Sequence, residues 1–268
     1  MRVRKPAVSG AFYPSDKEKL LSLIKTLFNQ AEKLNIKIKS AISPHAGYIY
    51  SGITASYVYK NLKQSYSRII LLGVSHHYTF DFACLDENEK WETPLGTIEL
   101  DMEFEEKLRY SEVFRFDSTL HKPEHSIEVQ VPFIQYKLGN EVKIVPILLG
   151  TLKREKLDKI SEAIKKEIDD NSLIIASSDF YHGYSYNECK KINEISKDIL
   201  EKGDPDEFFR NVVSYKIMAC GAAGIYVMLK IYEKKKYHKK VLNMTTSGDI
   251  TGDKTGYVVG YISFAYYE

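Results

Sequence analysis

Histidine and aspartate side chains follow three apolar stretches of the sequence, at the point where each stretch ends. The stretches and the polar residues after them are 40–43 with His45, 68–74 with His76, and 173–176 with Asp179 and His182. Short apolar runs of this kind are typical of buried strands in a parallel sheet. Because parallel strands place their carboxyl ends along one edge, the sequence predicts that these side chains converge on one pocket.

His45 and His76 are the best candidates for metal ligands. Imidazole nitrogens bind zinc, copper and iron, and a metal site needs at least two or three such donors at about 2 Å from the ion. Neighbouring residues of an extended chain point in opposite directions, so only one of His76 and His77 can face the pocket. We assign His76 to the pocket and expect His77 to lie behind it or in the core.

Cys220 is the candidate for a third metal donor. It stands in the run MACGAAG, directly before a predicted helix. A helix N-terminus lowers the pKa of a nearby thiol and favours the thiolate, which is the form that binds metals. A small thiol buried among small residues is the alternative, and the local sequence leaves both open. Cys84 and Cys189 are expected to be buried structural cysteines.

The segment HKPEHSIEVQ adds Glu124, His125 and Glu128 to the candidates. His125 and Glu128 are three residues apart, so on a helix they share one face and could reach a common partner. The acidic residues could instead stabilise a helix N-terminus. Asp179 and His182 could form a hydrogen-bonded pair that acts as general acid and base or holds a substrate.

An alternation of strands and helices must position these residues. Further strands are predicted at 142–149, 241–246 and 256–267, and helices at 17–33, 52–62, 126–138, 153–168, 186–201, 205–213 and 222–233. Pro146 is expected to make part of its strand an edge or a bulge, since proline cannot donate a ladder hydrogen bond. Residues 83–101 are predicted to form an antiparallel excursion with a turn at 94–96, and a long glycine-rich loop is expected to join the last two strands.

The sequence contains no internal repeat and no linker, so it predicts one domain over residues 1–268. The fold class is α/β, with a mainly parallel central sheet flanked by helices and with antiparallel additions.

Composition and charge exclude several classes of function. The net charge is +2, and no basic cluster is combined with stacking aromatic residues, so nucleic-acid binding is not expected. No apolar run reaches the ~20 residues that span a membrane, and no signal peptide is recognisable, so we expect a cytoplasmic protein without membrane association. Three widely spaced cysteines fit a reducing compartment. The sequence also lacks a phosphate-binding glycine loop, a nucleophile-elbow serine and a paired CxxC motif.

Six motifs extend over nearly the whole chain. They are PAVSGAFYP at 6–14, SPHAGYIYSG at 43–52, LLGVSHH at 71–77, EHSIEVQVPF at 124–133, SSDFYHG at 177–183 and CG at 220–221. In type and order they resemble the Memo family, which is named for a mediator of receptor-driven cell motility. Archaeal and bacterial relatives carry the label AmmeMemoRadiSam system protein B.

This resemblance implies a fold similar to that of the class III extradiol ring-cleavage dioxygenases, whose non-haem Fe(II) is bound by two histidines and a glutamate. His45 and His76 match the two histidine ligands, and Cys220 stands where those dioxygenases place the carboxylate. A soft thiolate changes the metal preference and the redox potential relative to a carboxylate. The resemblance therefore implies Fe(II) or copper, with zinc as a further candidate.

The leading interpretation is a metal-dependent redox or dioxygenase-like protein that acts on an unknown small molecule. The predicted metal ligands are His45, His76 and Cys220. The predicted proton carriers are Asp179 and His182, which match further pocket residues of the family, and His125, which belongs to its EHS motif. Two alternatives remain open: a non-catalytic module that binds a peptide or small-molecule ligand in the same pocket, and hydrolysis by a zinc-bound water. The family label also implies partners in a radical-SAM system, and a homo-oligomer is compatible with such a domain.

Overall fold

The computed structural model describes residues 2–63, 66–151 and 153–268. The strands are β1 (Val3–Arg4), β2 (Ile38–Ser43), β3 (Arg68–Val74), β4 (Ala83–Leu85), β5 (Lys90–Thr93), β6 (Gly96–Glu99), β7 (Phe114–Phe116), β8 (Lys143–Leu149), β9 (Ser172–Ser177), β10 (His182–Gly183), β11 (His238–Thr246) and β12 (Val258–Tyr267). The α-helices are α1 (Lys17–Gln30), α2 (Tyr48–Tyr59), α3 (Met102–Arg109), α4 (Ser118–His121), α5 (Val131–Leu138), α6 (Arg154–Glu167), α7 (Tyr186–Lys202), α8 (Pro205–Val213), α9 (Ala222–Tyr232) and α10 (Ser247–Thr251).

A mixed sheet forms the centre of the α/β fold. Its strands lie in the order β10-β12-β2-β9-β3-β8-β4-β7, and β11 pairs with β12. The central strands β2, β9, β3 and β8 are mutually parallel, whereas β12 runs antiparallel to β2 and β4 runs antiparallel to β8. The predicted parallel centre with antiparallel additions is therefore confirmed. A smaller sheet has the order β1-β5-β6.

Helices cover both faces of the main sheet, because alternate residues of a strand point to opposite sides. On β3, Ile70 and Leu72 belong to one core cluster, which they share with residues of α6, α7, α8 and α9. Ile69 and Leu71 belong to the other, which they share with residues of α1, α2 and α5. All four side chains are fully buried, and each contributes about 1.5–3 kcal/mol to the free energy of unfolding.

Most predicted elements are present with shifted ends, and two shifts affect the site. The helix predicted from residue 52 begins at Tyr48, whose backbone N–H donates to the carbonyl of Phe12 at 2.8 Å. This donor is satisfied by a segment distant in sequence, so no local signal marks the start of the helix. The helix predicted at 126–138 opens with a 3₁₀ turn at Glu128–Gln130, and only Val131–Leu138 is α-helical.

The remaining predictions about strands are resolved as follows. Pro146 of β8 pairs with Leu71 of β3 on one side. On the other side β4 pairs with β8 only at Leu148 and Leu149, so in the described part of the chain β4 forms no pair with the proline. The hairpin β5–β6 contains the predicted turn. The loop between β11 and β12 contains the short helix α10, which the glycine-rich composition did not indicate.

The N-terminal segment is held to the body of the protein by one buried carboxylate. Glu128 accepts hydrogen bonds from the Arg4 guanidinium at 2.7 Å, from the backbone N–H groups of Ala7 and Val8, and from the Tyr13 hydroxyl at 2.7 Å. The side chains of Arg4 and Glu128 are both almost completely buried. This arrangement places the segment that follows, including Phe12, beside the carboxyl edge of the main sheet.

Glu105 of α3 is a second buried carboxyl group, but both its oxygens lack a hydrogen-bond partner among the described residues. Burial raises the pKa of Glu105 well above its usual range, and the nearby carboxylates of Asp86 and Asp101 raise it further. No helix in the described part of the chain is both long enough and apolar enough to cross a membrane.

Candidate functional site

The candidate site lies at the carboxyl edge of the main sheet, as the sequence predicts. His45 follows β2, His76 follows β3, and Asp179 follows β9. Two glycines allow neighbouring segments of the chain to pack closely against the strand ends. A Cβ atom on Gly73 would overlap the side chain of Ile127, and one on Gly221 would overlap the carbonyl of Ser177. Glycine at these positions therefore brings the EHS motif and the CG motif against the strand ends.

Three imidazole rings face one another at this edge. The ring centroids of His45 and His76 are 5.2 Å apart, and those of His45 and His125 are 5.5 Å apart. His76 and His125 stack with their centroids at 4.4 Å. One donor nitrogen from each of the three rings lies within 4.8 Å of the others, so this group could hold a metal ion. The structure thus adds His125, expected as a proton carrier, to the two predicted histidine ligands.

The hydrogen bonds of Ser177 determine which ring nitrogen of His45 carries the proton, that is, its tautomer. The Ser177 hydroxyl donates to the carbonyl of Ser126 at 2.6 Å and accepts from the Gln130 amide at 2.8 Å. The same Gln130 nitrogen donates to the carbonyl of Pro44, which fixes the orientation of the amide. The hydroxyl has no second proton to give, so the contact of 3.0 Å with His45 Nδ1 requires that the ring nitrogen donates. The lone pair of His45 is therefore on Nε2.

Glu124 orients His76 in the same way. Its carboxylate accepts from His76 Nδ1 at 2.9 Å and from the backbone N–H of His76 at 2.6 Å. It also accepts from the backbone N–H groups of His125 and Ser126. Burial alone would raise the pKa of Glu124, but these hydrogen bonds hold it well below the usual range. His76 Nδ1 consequently donates to a carboxylate, and Nε2 is the ring nitrogen that could face a metal ion, the arrangement found in carboxylate–histidine–metal sites.

Burial keeps His45 and His125 in the neutral form that binds metals. His45 is almost completely buried, and this burial, together with the rings of His125 and His76, holds its pKa well below the usual range. Burial also lowers the pKa of His125 to about 4, against an opposing effect of Glu124. Neither His45 nor His125 has to lose a proton at neutral pH before it can donate a lone pair.

Asp179 and His182 lie at the site but do not form the predicted hydrogen bond to each other. The Asp179 carboxyl accepts from the backbone N–H of His45 at 2.8 Å, and His182 Nδ1 donates to the carbonyl of Phe180 at 2.7 Å. Burial raises the pKa of Asp179 to about 7, although the hydrogen bond from His45 opposes this rise. Burial lowers the pKa of His182. Both residues line the pocket.

Cys220 lies next to His45 but outside the group of three imidazoles. Its Sγ is 3.1 Å from His45 Nε2 and accepts from the backbone N–H of Asp179 at 3.2 Å. Among the described residues, Cys220 belongs to no group of three donors within 4.8 Å. The helix α9 begins only after Gly221, and burial, with a contribution from Asp179, raises the thiol pKa to about 12. The expectation of a lowered thiol pKa is therefore wrong, because burial outweighs the helix N-terminus.

Two further expectations about neighbouring residues are corrected. His77 is exposed rather than behind the site or in the core, and its donor atom lies within 4.8 Å of those of Glu124 and His125. Glu128 shares no partner with His125, because its carboxylate is fully used by the N-terminal segment. Cys84 and Cys189 are buried free cysteines, as expected.

The site opens into a cavity of about 460 Å³. His45, His76, His125, Asp179 and His182 line it together with Phe12, Tyr50, Ser247, Tyr257 and Tyr261. The last five residues were not among the candidates, and Ser247, Tyr257 and Tyr261 come from elements with no chemical motif. For Phe12 and Tyr50 the signal was present, because both lie within the PAVSGAFYP and SPHAGYIYSG motifs.

Comparison with known proteins gives matches over nearly the whole chain. A family model described as Memo-like protein matches residues 4–265. A MEMO1 family protein of Thermoplasma acidophilum is 37% identical over 265 residues, which cover 97% of this chain and 97% of the relative. A MEMO1 family protein of Aquifex aeolicus is 36% identical over 271 residues, covering 99% and 100%, and one of Archaeoglobus fulgidus is 32% identical over 267 residues, covering 98% and 99%. Since the match extends over nearly the full length of every chain compared, this protein belongs to the Memo-like family.

Proposed function

We propose that this protein is a metal-dependent redox protein that holds one Fe(II) or copper ion in the histidine pocket and acts on a small molecule there. The observation that carries the proposal is the group of three imidazoles, His45, His76 and His125, which line one open cavity. Imidazole donors suit iron, copper and zinc. A bound ion would supply electron transfer or polarise an oxygen atom of the substrate.

The donors fit an ion in number and spacing. Two nitrogens bound at about 2.1 Å to the same ion are at most about 4.2 Å apart, and the three nitrogens of the group lie within 4.8 Å of one another. His45 and His76 are common to every ligand set that we consider. The third donor is either His125, which completes the group, or Cys220, whose separation of 3.1 Å from His45 Nε2 is compatible with a shared ion.

The residues around the three imidazoles have distinct roles in this proposal. Ser177 and Glu124 orient His45 and His76, so that both Nε2 atoms are available. Asp179 and His182 line the same cavity and would give a proton to a substrate or take one from it. Phe12 packs on His125 with a centroid separation of 4.7 Å and restricts access of water from that side. The dioxygenase-like part of the proposal rests on the sequence resemblance alone.

Metal analysis of purified variants tests the proposal. We expect one equivalent of iron or copper after anaerobic reconstitution, and less than a tenth of an equivalent in the double variant His45→Ala/His76→Ala. Comparison of His125→Ala with Cys220→Ser assigns the third donor, because only the true ligand lowers the metal content. His238→Ala is the matched control, since His238 is exposed and belongs to neither group of potential metal donors. Full metal content in the double variant would refute the proposal.

A non-catalytic binding module is the second candidate. It is favoured by the rim of the cavity, where Tyr50 and Tyr257 expose 40% and 54% of their surface and could contact a ligand. A peptide or small molecule that binds equally well before and after chelation would support this candidate. Oxygen uptake restored by Fe(II) or copper would support the redox protein, and turnover of an ester restored by zinc alone would support hydrolysis.

A further inference from the structure

A second, smaller cleft lies on the other side of His182. It has a volume of about 280 Å³ and is formed mainly by the loop between α8 and α9. Its walls are apolar and include Phe180, Val212, Ile217 and Ala219. The residues that line it carry no carboxylate, ammonium or guanidinium group, and His182 is the single residue that also lines the histidine pocket. The two cavities therefore differ in chemistry and meet at one imidazole.

Cys220 lines this cleft and does not line the histidine pocket. Its backbone N–H donates to the carbonyl of Asp179 at 3.1 Å, which holds the residue against the end of β9. His45 Nε2, at 3.1 Å, covers one side of the sulfur, and the residue as a whole is only partly buried. A molecule that approaches the sulfur from outside therefore meets it through the apolar cleft.

The mouth of the cleft contains the one non-glycine residue with a positive φ angle in the described part of the chain. Tyr215 has a φ of 57° and exposes 81% of its surface. Hydrogen bonds of the same loop hold it there, including Tyr215 N–H to Val212 O at 3.0 Å and Lys216 N–H to Asn211 O at 2.9 Å. A left-handed conformation costs a bulky residue on the order of 1–2 kcal/mol, and such strain concentrates at ligand-binding sites.

We infer that this cleft is a second binding site, for a small neutral apolar molecule, which contacts Cys220 from the cleft and not from the histidine pocket. The volume is sufficient for a few non-hydrogen atoms beside the sulfur. The absence of charged groups from the lining favours a neutral occupant, because an ion would lose its hydration without gaining a partner. The inference does not depend on a metal ion in the histidine pocket.

The charge preference of Cys220 modification tests the route to the sulfur. Methanethiosulfonate reagents differ in charge but share one reaction: the thiolate attacks the sulfenyl sulfur, a mixed disulfide forms, methanesulfinate leaves, and the thiol proton passes to solvent. Rates are measured by mass spectrometry of the Cys220 peptide and divided by the rates with a free thiol in solution. We expect neutral methyl methanethiosulfonate to react at least tenfold faster than its anionic or cationic analogues. Equal normalised rates would contradict an apolar route.

Two matched substitutions locate the route. Ala219→Phe fills the apolar cleft, whereas Ser247→Phe fills the mouth of the histidine pocket. We expect Ala219→Phe to slow the neutral reagent at least tenfold and Ser247→Phe to change its rate less than twofold. The reverse pattern would overturn the inference. Val212→Phe, on the half-exposed face of α8, replaces Ala219→Phe if that variant does not fold.

Xenon provides a probe of binding that does not involve the thiol reaction, because it occupies apolar cavities in proteins. In a crystal of the wild-type protein pressurised with xenon, we expect an anomalous peak in van der Waals contact with Phe180 and Ile217. A crystal without such a peak in the cleft would contradict a binding site for small apolar molecules.

Discussion

Replacing Ser177 by alanine should allow His45 to adopt either tautomer. The hydroxyl is the acceptor for His45 Nδ1 at 3.0 Å, and it also bonds the amide of Gln130 and the carbonyl of Ser126. Without it, His45 can carry its proton on either nitrogen. The fraction with a lone pair on Nε2, facing Cys220 and the pocket, therefore falls.

The cost follows from the partners that are left behind. His45 Nδ1 and the carbonyl of Ser126 lose an identified partner, while the Gln130 amide keeps its bond to Pro44. A buried polar group without a partner costs about 1–3 kcal/mol, so for these two groups we expect Ser177→Ala to lower the free energy of unfolding by about 2–6 kcal/mol. Loss of a group that orients a metal ligand lowers metal affinity about 10–100-fold.

Three measurements check this prediction. Long-range ¹H–¹⁵N correlations of the imidazoles report the protonated nitrogen of His45 in the metal-free protein, urea denaturation gives the free energy of unfolding, and titration gives the metal affinity. Ser40→Ala is the matched control, because Ser40 is also buried in a central strand but its hydroxyl has no partner among the described residues. We expect the control to change none of the three by a comparable amount.

A Ser177→Ala variant that keeps His45 protonated on Nδ1 would refute the reasoning, whatever its stability. A variant that loses only stability, with unchanged protonation and metal affinity, would show that Ser177 supports the strand end without orienting the ring.

The remaining predictions concern buried charge and close packing. Glu128→Ala leaves the Arg4 guanidinium buried without its carboxylate, so urea denaturation should show a loss of about 3–5 kcal/mol, whereas Lys5→Ala at the exposed pair with Glu92 should cost less than about 1 kcal/mol. Glu105 binds a proton more tightly when folded than when unfolded, so its stabilising effect is present below about pH 4.5 and is lost as the pH rises through the raised pKa. Glu105→Gln should therefore be more stable than the wild type at pH 8, by about 1–3 kcal/mol, and this advantage should vanish at pH 4 in the same assay. Gly73→Ala should lower the unfolding free energy by about 1–3 kcal/mol because the new methyl group overlaps Ile127, and an unchanged melting temperature would contradict that packing.

The central strands and the convergence of polar residues could be predicted because both depend on local pattern. The run of apolar residues in β3 predicts a buried strand, and His76 must then follow its carboxyl end. The rule that parallel strands end on one side does not require knowledge of side-chain rotamers. The start of α2 could not be predicted in the same way, because the Tyr48 N–H is satisfied by the distant carbonyl of Phe12.

Details of the site depend on contacts between distant segments, which no single stretch of sequence records. His125 was recognised as a pocket residue, but its place beside His76 follows from Glu124, which accepts from both backbone N–H groups. The thiol of Cys220 was expected to be acidic from its position before a helix. Its pKa is raised instead, since burial depends on how closely Gly221 allows the chain to approach β9.

The walls of the histidine pocket come from both ends of the chain, from Phe12 to Tyr261. The last strand, β12, pairs with β2, the strand that carries His45 at its end. Until β12 has left the ribosomal exit tunnel, the pocket lacks the part of its wall that Val259 and Tyr261 form. Any ligand that requires the enclosed pocket therefore binds only after β12 has joined the sheet, and a truncated product that lacks β12 should fail to retain it.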